Sequence, residues 1–121
     1  AKDYVKMMYK ILTYKKAEDF VISSEKQYSI KEFINFVCKK LNLAIKWQGK
    51  GVNEKAISYE NKTIVEISKK FFRNFDLDYL FGDSSKAKRN LKWKPNKNLH
   101  ALIDDMIKFE IDNLNGKYKK L

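Results

Sequence analysis

The sequence is poor in the residues from which many catalytic and metal-binding sites are built. Its 121 residues include one cysteine, one histidine and one proline. Cys38 alone cannot form an internal disulfide, and with His100 it cannot supply the ligand cluster of a structural zinc site. We expect Cys38 to be a buried structural thiol. Both absences fit a reducing compartment, so a cytoplasmic location is predicted.

Long apolar runs and phosphate-binding loops are also absent from the sequence. No apolar run reaches the roughly 18 residues of a membrane span, and the first ten residues, AKDYVKMMYK, lack the features of a signal peptide. The chain has four glycines and no G-x-G-x-x-G, G-x-x-x-x-G-K-[ST] or G-x-S-x-G motif. These absences predict no membrane partner and no cofactor bound by this chain alone.

Arginine is scarce although the net charge is +11, since only Arg73 and Arg89 among the 26 basic residues are not lysine. Sequence-specific nucleic-acid recognition usually recruits arginine, because its planar fork binds bases and phosphates bidentately. The lysines are spread along the whole chain. We therefore expect no specific nucleic-acid partner. Loose, salt-sensitive binding of polyanions remains an alternative function.

The apolar and aromatic content is ample for a core, and the length predicts a single domain over residues 1–121 with a frayed tail at 114–121. Asp3 is a candidate cap for the first helix, Ser29 and Glu32 form a capping box, and the GKG sequence at 49–51 ends a strand. The predicted elements are helices over 3–14, 30–41, 85–91 and 98–114, strands over 20–22, 44–48 and 63–68, and a loop or hairpin over 52–62.

One candidate site lies in the segment FFRNFDLDYLFGDSSKAKRNLKWKP, residues 71–95. Arg73 suits a diphosphate because its fork can hold two oxygens, and Asp76 suits the vicinal hydroxyls of a ribose. From the spacing alone, the simpler interpretation is an exposed ion pair contributing about 0–1 kcal/mol. We expect no catalytic and no metal-binding residue in this chain.

Four segments carry a resemblance to a known family. AKDYVKMMYKIL is similar to A-K-D-Y-V-x-x-M-W-x-x-L, and EDFVISSEKQYSIKEFINF to D-x-V-I-A-T-G-x-x-x-S-V-R-E-F. IKWQGKGVNEKA is similar to W-x-G-x-G-x-x-E, and residues 71–95 to Y-F-R-P-x-E-V-x-x-L-x-G-D-x-[ST]-K-A-x-x-x-L-G-W-x-P. In these segments the chain resembles the C-terminal part of the GDP-mannose 4,6-dehydratases, which are extended short-chain dehydrogenases/reductases.

The resemblance implies a fold class and a role. The expected fold is α/β: a substrate-binding C-terminal lobe of mostly helices with a few short strands, with the Rossmann domain absent. The family converts GDP-mannose to GDP-4-keto-6-deoxymannose on the route to GDP-fucose, with NADP carrying the hydride. The resemblance assigns the diphosphate to Arg73 and the ribose to Asp76. Without the dinucleotide fold the chain alone is expected to be inactive.

The departures from the family pattern identify positions to compare with the structure. Asp76 replaces a glutamate, Asn74 a proline, and Glu25 and Lys92 each replace a glycine, so the end of the 85–91 helix is expected to lose its left-handed cap residue. The expected partners are GDP-mannose, and either a separate N-terminal Rossmann chain or a second copy. A stand-alone GDP-binding or related epimerase lobe is the alternative.

Overall fold

Four α-helices, one short 3₁₀ helix (Gly51–Asn53) and one three-stranded antiparallel sheet make up the regular structure of the described residues. The computed structural model describes residues 2–73 and 79–116. This is the α/β composition that the sequence predicts. The chain divides into two compact units: unit 1 is Ala1–Tyr28 with Tyr79–Asp105, and unit 2 is Ser29–Asp78 with Met106–Leu121. A single functional domain over 1–121 stays a prediction.

Helix α1, Lys2–Leu12, begins unit 1 where the sequence predicts a helix. Its Met7 is buried against Ala87, Leu91 and Trp93, which together form the core of this unit. The prediction that Asp3 caps α1 is wrong, because Asp3 lies within the first turn. Its carboxylate instead accepts hydrogen bonds from the backbone N–H groups of Asn96 and Lys97, at 2.9 and 3.2 Å.

The predicted strand over residues 20–22 is not observed, although the alternation on which it rested is present. Phe20 and Ile22 pack on the core of unit 1, while Val21 is more than half exposed. These residues have no ladder partner within the described part of the chain. Alternating burial therefore marks an extended segment here, but a strand also needs a neighbour to pair with.

Helix α3, Ser85–Leu91, matches its predicted bounds, but the expectation about its end is wrong. Lys92 adopts the left-handed conformation itself, with φ 54° and ψ 44°. The cap geometry that glycine would supply is thus kept by a residue with a side chain, at a conformational cost. The carbonyl of Leu91 accepts a hydrogen bond from the Lys10 ammonium at 3.0 Å, which satisfies one of the free carbonyls at this helix end.

Helix α2, Ile30–Lys40, opens unit 2 with the predicted capping box. The Ser29 hydroxyl accepts from the Glu32 backbone N–H at 3.1 Å, and the Glu32 carboxylate accepts from the Ser29 backbone N–H at 2.7 Å. Cys38 is buried on the inner face, as predicted, and burial raises the pKa of its thiol. A thiol with a raised pKa is a weaker nucleophile at neutral pH, which fits a structural role.

The sheet of unit 2 contains β1 (Ile45–Gln48), β2 (Lys55–Ser58) and β3 (Thr63–Glu66) in the order β1-β2-β3. Trp47 lies opposite Ala56, and Ala56 opposite Val65. The hairpin alternative for residues 52–62 is therefore confirmed. β2 is the central strand, paired on both edges, and its Ala56 and Ile57 are buried.

Helix α4, Leu99–Leu114, is the last described helix and agrees with the prediction to one residue. The Asn98 side-chain oxygen accepts from the Ala101 backbone N–H at 2.9 Å, so Asn98 is its N-cap. Ile103 is fully buried. The division between the two units falls within this helix, after Asp105. The predicted frayed tail from 114 lies mostly outside the described residues.

Candidate functional site

Arg73 stands in unit 2, seven residues beyond the end of β3, and its side chain is exposed. A turn precedes it, closed by a hydrogen bond from the Phe71 N–H to the Ser68 carbonyl at 3.1 Å. Lys69 and Lys70 lie in the same turn, with Lys70 5.5 Å from the centre of the Phe71 ring. Arg73 is thus accessible to an anion among other cations, which suits a diphosphate.

Asp76, the second predicted site residue, lies outside the described residues, as does Asn74. The structure therefore gives no separation between Arg73 and Asp76. Their joint grip on a diphosphate and a ribose stays a prediction.

Residues 79–95 of the motif belong to unit 1, where they form a packing unit. A Cβ on Gly82 would lie 3.0 Å from the Cβ of Ser23, so this close approach leaves little room for a side chain. The Asp83 carboxylate accepts from the Ser85 N–H at 2.8 Å, and Ser85, through its hydroxyl and then its backbone, lowers the pKa of Asp83. The Trp93 indole N–H donates to the Ser23 carbonyl at 2.8 Å. These contacts give the motif a structural role.

Glu25 occupies a second position where the family pattern has glycine, and it too is left-handed, with φ 53°. Its carboxylate accepts from the buried Ser84, whose hydroxyl is 2.7 Å and backbone N–H 3.2 Å away, and it forms an ion pair with Lys88. Lys88 first and then Ser84 lower the pKa of the Glu25 carboxyl. No local sequence pattern indicates this cluster, since Glu25 and Ser84 are 59 residues apart along the chain.

The W-x-G-x-G-x-x-E block lies in unit 2 and is also structural in its contacts. The Trp47 indole N–H donates to the Asn35 side-chain oxygen at 2.9 Å. The Lys31 ammonium lies 4.7 Å from the centre of the Trp47 ring and 2.6 Å from the Glu54 carboxylate. Lys31 therefore links the tryptophan and the glutamate of the motif, and holds α2 against the β1–β2 connection.

Unit 1 contains a cavity of about 460 Å³ that sequence reasoning missed. The residues that line it include the aromatic Tyr4, Tyr28 and Trp93 and the basic Lys2, Lys26 and Lys97. The Tyr4 and Trp93 rings pack at 58° with centres 5.9 Å apart. Aromatic surface beside positive charge can accommodate a ring-bearing anion.

Two of the charges near this cavity are already engaged. Lys97 forms an ion pair with Asp105. The Asp3 carboxylate is held by the backbone of Asn96 and Lys97, and the Asn96 N–H is the chief cause that lowers the pKa of Asp3. Lys2 and Lys26 are the lining cations for which the described residues show no ion pair within 4 Å.

Metal and membrane sites are not indicated by the described residues. No group of three or more His, Cys, Asp or Glu side chains among them is placed to hold a metal ion. Of the helices in the described ranges, none combines the length and apolarity that crossing a bilayer requires.

Comparison with known proteins identifies the family. The family model described as GDP-mannose 4,6 dehydratase matches residues 1–106. The chain belongs to this family. A GDP-mannose 4,6 dehydratase of Drosophila melanogaster is 38% identical over 115 residues, covering 93% of this chain and 29% of the relative. The human protein of that name is 34% identical over 113 residues, covering 93% of this chain and 30% of the relative.

A bacterial member gives the same picture: the GDP-mannose 4,6-dehydratase of Vibrio cholerae serotype O1 is 33% identical over 123 residues, covering 93% of this chain and 33% of the relative. The chain spans about a third of the length of the curated relatives it matches. The resemblance read from the motifs is therefore confirmed at the level of the GDP-mannose dehydratase family.

Proposed function

We propose that the chain is the nucleotide-sugar-binding, C-terminal portion of a GDP-mannose 4,6-dehydratase of the extended short-chain dehydrogenase type. The family match over residues 1–106 carries this proposal. The intact enzyme would be a lyase that removes water from GDP-mannose to give GDP-4-keto-6-deoxymannose. Arg73, exposed among lysines, would hold the diphosphate, and Asp76 would bind the ribose.

NADP does not fit the described residues of this chain. Gly49 and Gly51 lie in the turn after β1, Gly82 packs against Ser23, and Gly116 follows α4. None forms the strand–turn–helix phosphate loop of a dinucleotide site. NADP, when bound in the intact enzyme, supplies the hydride acceptor and donor, and we propose that residues outside this chain hold it. The chain itself is proposed to bind and orient the nucleotide.

Catalytic silence of the isolated chain follows from this assignment and is directly testable. The purified chain is incubated with GDP-mannose and NADP, and the sugar nucleotide is analysed by mass spectrometry. We expect unchanged GDP-mannose. Loss of one water with formation of the 4-keto sugar would show that the reacting groups are present in this chain.

Arg73 provides the sharper test of nucleotide binding, because the only other arginine is a matched control. GDP is titrated into the chain by calorimetry, with Arg73→Ala and Arg89→Ala in parallel. Both arginines are exposed, and Arg89 lies on α3 in unit 1. We expect Arg73→Ala to weaken GDP binding about tenfold or more and Arg89→Ala to leave it unchanged. Equal losses would contradict a specific role for Arg73.

The unit 1 cavity favours a second candidate function, a stand-alone module that binds a nucleotide without chemistry. Its aromatic walls would take a base and Lys26 a phosphate. In the same GDP titration, loss of binding on Lys26→Ala and retention on Arg73→Ala would support this module. Loss of GDP binding on Arg73→Ala with retention on Lys26→Ala would instead support the assignment of the chain as the nucleotide-sugar-binding portion of a dehydratase.

A further inference from the structure

Helix α4 is followed directly by the one Asn-Gly pair in the sequence. Asn115 and Gly116 come after Leu114, the last residue of the helix, and both are exposed. Gly116 has a φ of 74°, and a Cβ placed on it would meet no described atom within 4 Å. The backbone at Gly116 is therefore open, and glycine brings no side chain that could shield its nitrogen.

An asparagine that precedes glycine is open to attack by the backbone of its own chain. The amide nitrogen of Gly116, after loss of its proton to base, adds to the Cγ carbonyl of Asn115, and ammonia leaves as a succinimide ring closes. Water then opens either carbonyl of the ring. Opening at the former side-chain carbonyl gives aspartate, whereas opening at the main-chain carbonyl gives isoaspartate, in which the backbone runs through the former side chain. No oxidant, cofactor or second protein takes part.

The attacking nitrogen is held by a hydrogen bond at the very end of α4. The Gly116 N–H donates to the Asn113 carbonyl at 3.0 Å, and the Asn115 N–H donates to the Ile111 carbonyl at 3.0 Å. Asn115 itself lies beyond the last helical residue. Hydrogen bonds at a helix end open more readily than those of the interior, because the last turn frays. The Gly116 nitrogen can therefore be released while the rest of unit 2 stays folded.

The other described asparagines do not combine these features. Asn113 is also exposed, but it lies within α4 and precedes a leucine. Asn61 is exposed in the turn between β2 and β3, but Lys62 follows it, and the Lys62 N–H donates to the Ser58 hydroxyl at 3.3 Å. A residue with a side chain likewise follows Asn35, Asn42, Asn53, Asn90, Asn96 and Asn98.

We propose that Asn115 is a site of spontaneous deamidation, which converts the exposed Asn115–Gly116 pair after α4 into a mixture of aspartate and isoaspartate. Either product adds a carboxylate beside the carbonyl end of the helix, where the macrodipole disfavours negative charge, and lowers the net charge of +11 by one. The isoaspartyl form also lengthens the backbone before Gly116, which disturbs its hydrogen bond to Asn113. Deamidation should therefore loosen the last turn of α4.

Peptide mapping of the purified chain tests the chemistry. The chain is held at neutral and at mildly alkaline pH, and samples are digested with trypsin at intervals. Cleavage after lysine gives a peptide of residues 109–117, which contains both Asn113 and Asn115, and a peptide of residues 56–62, which contains Asn61. Fragmentation in the mass spectrometer locates the mass gained when NH is exchanged for O. We expect this gain at Asn115 but not at Asn113 or Asn61, with two products and a rate that rises in proportion to hydroxide.

Asn115→Gln is the matched variant, because glutamine keeps the amide but places it one carbon too far for the same ring. It should abolish the conversion in the peptide of residues 109–117. Hydrogen exchange of the last turn of α4 should accelerate on ageing of the wild type but not of Asn115→Gln. Because the substituted side chain is exposed beyond the helix, fresh samples of the two proteins should have the same circular dichroism spectrum.

A parallel incubation in guanidinium shows whether the fold leaves Asn115 reactive. We expect the conversion rate at Asn115 to be the same in the folded and the unfolded chain. An Asn115 that stays intact in the folded chain and converts only in guanidinium would overturn the proposal, since the turn after α4 would then protect it. Conversion at Asn113 or Asn61 as fast as at Asn115 in the folded chain would overturn it as well.

Discussion

The Glu25 carboxylate accepts hydrogen bonds from both the hydroxyl and the backbone N–H of Ser84, at 2.7 and 3.2 Å. Ser84 is fully buried and precedes α3, so this contact fastens the segment after Ile22 to the start of that helix. Lys88, one turn into α3, adds an ion pair to the same carboxylate. Glu25 thus ties together two parts of unit 1 that lie 59 residues apart.

Replacement of this carboxylate is predicted to change the pH dependence of stability. The pKa of Glu25 is lowered from 4.5, first by Lys88 and then by Ser84, so the ionised form is favoured in the folded chain. Its contribution is complete above about pH 4.5 and is lost as the pH falls through the folded-state pKa. Glu25→Gln should therefore have a lower melting temperature than wild type at pH 7, with the difference disappearing on acidification.

Glu60→Gln is the control for this pH series. Glu60 is exposed in the turn between β2 and β3, away from any such cluster. We expect its melting temperature to follow that of wild type from pH 7 to pH 3. A difference for Glu25→Gln that stays constant over this range would show that its carboxylate charge is not the stabilising feature.

Lys92 is predicted to be replaceable by glycine with a gain in stability. Its φ of 54° is costly for a residue with a Cβ, by about 1–2 kcal/mol, whereas glycine adopts it freely. Glycine also adds freedom to the unfolded chain, worth about 0.4–1 kcal/mol in the opposite sense. The net gain in the free energy of unfolding should be about 0–1.6 kcal/mol, centred on about 0.8 kcal/mol.

Lys94→Gly is the paired control for Lys92→Gly, measured in the same urea titrations. Lys94 is exposed in the same loop but is not among the residues with positive φ. Only the unfolded-state effect applies to it, so its stability should fall by about 0.4–1 kcal/mol. We therefore expect Lys92→Gly to raise the free energy of unfolding and Lys94→Gly to lower it. If both variants were less stable than wild type, contacts of the Lys92 side chain would offset the left-handed strain of its backbone.

Local signals were sufficient to predict most of the regular elements from sequence. The Ser29–Glu32 capping box and the glycines at 49 and 51 act within a few residues, so they identify the start of α2 and the end of β1. The strand predicted at Phe20–Ile22 failed for the same reason, because alternation is local whereas ladder pairing is not. Residues 52–62 predict either a loop or a hairpin, because the pairing of β2 with β1 and β3 involves residues outside that segment.

The candidate sites depend even more than the strands on contacts between residues that are distant in the sequence. Arg73 is a candidate site residue from its chemistry and from the resemblance, and the structure places it exposed after β3. The unit 1 cavity joins Tyr4, Tyr28 and Trp93, which no short motif connects. The left-handed backbone of Glu25 and Lys92 is not predictable from residue type, because neither glutamate nor lysine favours positive φ. The glycines of the family pattern at these two positions are the signal that could indicate it.

Loss of the Ser29 side chain is predicted to destabilise α2 measurably. Ser29→Ala removes the acceptor for the Glu32 N–H and should lower the free energy of unfolding by about 1 kcal/mol. Ser29→Asn keeps a side-chain acceptor at the N-cap and should remain close to wild type. Guanidinium denaturation of the three proteins checks this. Equal stability of the alanine and asparagine variants would contradict a role for the cap.

The two glycines of the W-x-G-x-G-x-x-E block are predicted to differ sharply in their tolerance of alanine. Both have positive φ, 81° for Gly49 and 56° for Gly51. A Cβ on Gly51 meets nothing within 4 Å, so Gly51→Ala should lower the free energy of unfolding only by the left-handed cost of about 1–2 kcal/mol, reduced by the about 0.4–1 kcal/mol that a less flexible unfolded chain returns. A Cβ on Gly49 would lie 2.2 Å from the carbonyl oxygen of Asn53, which is backbone and cannot rotate away.

Gly49→Ala should therefore lose at least about twice as much stability as Gly51→Ala, because it adds a steric overlap to the same backbone strain. Urea denaturation followed by circular dichroism measures the free energy of unfolding of both variants. The difference in stability between the two variants tests whether the W-x-G-x-G-x-x-E block has a structural role. If the two variants were equally stable, steric constraint at Gly49 would not account for the spacing of the motif, and a ligand contact at these glycines would be the better explanation.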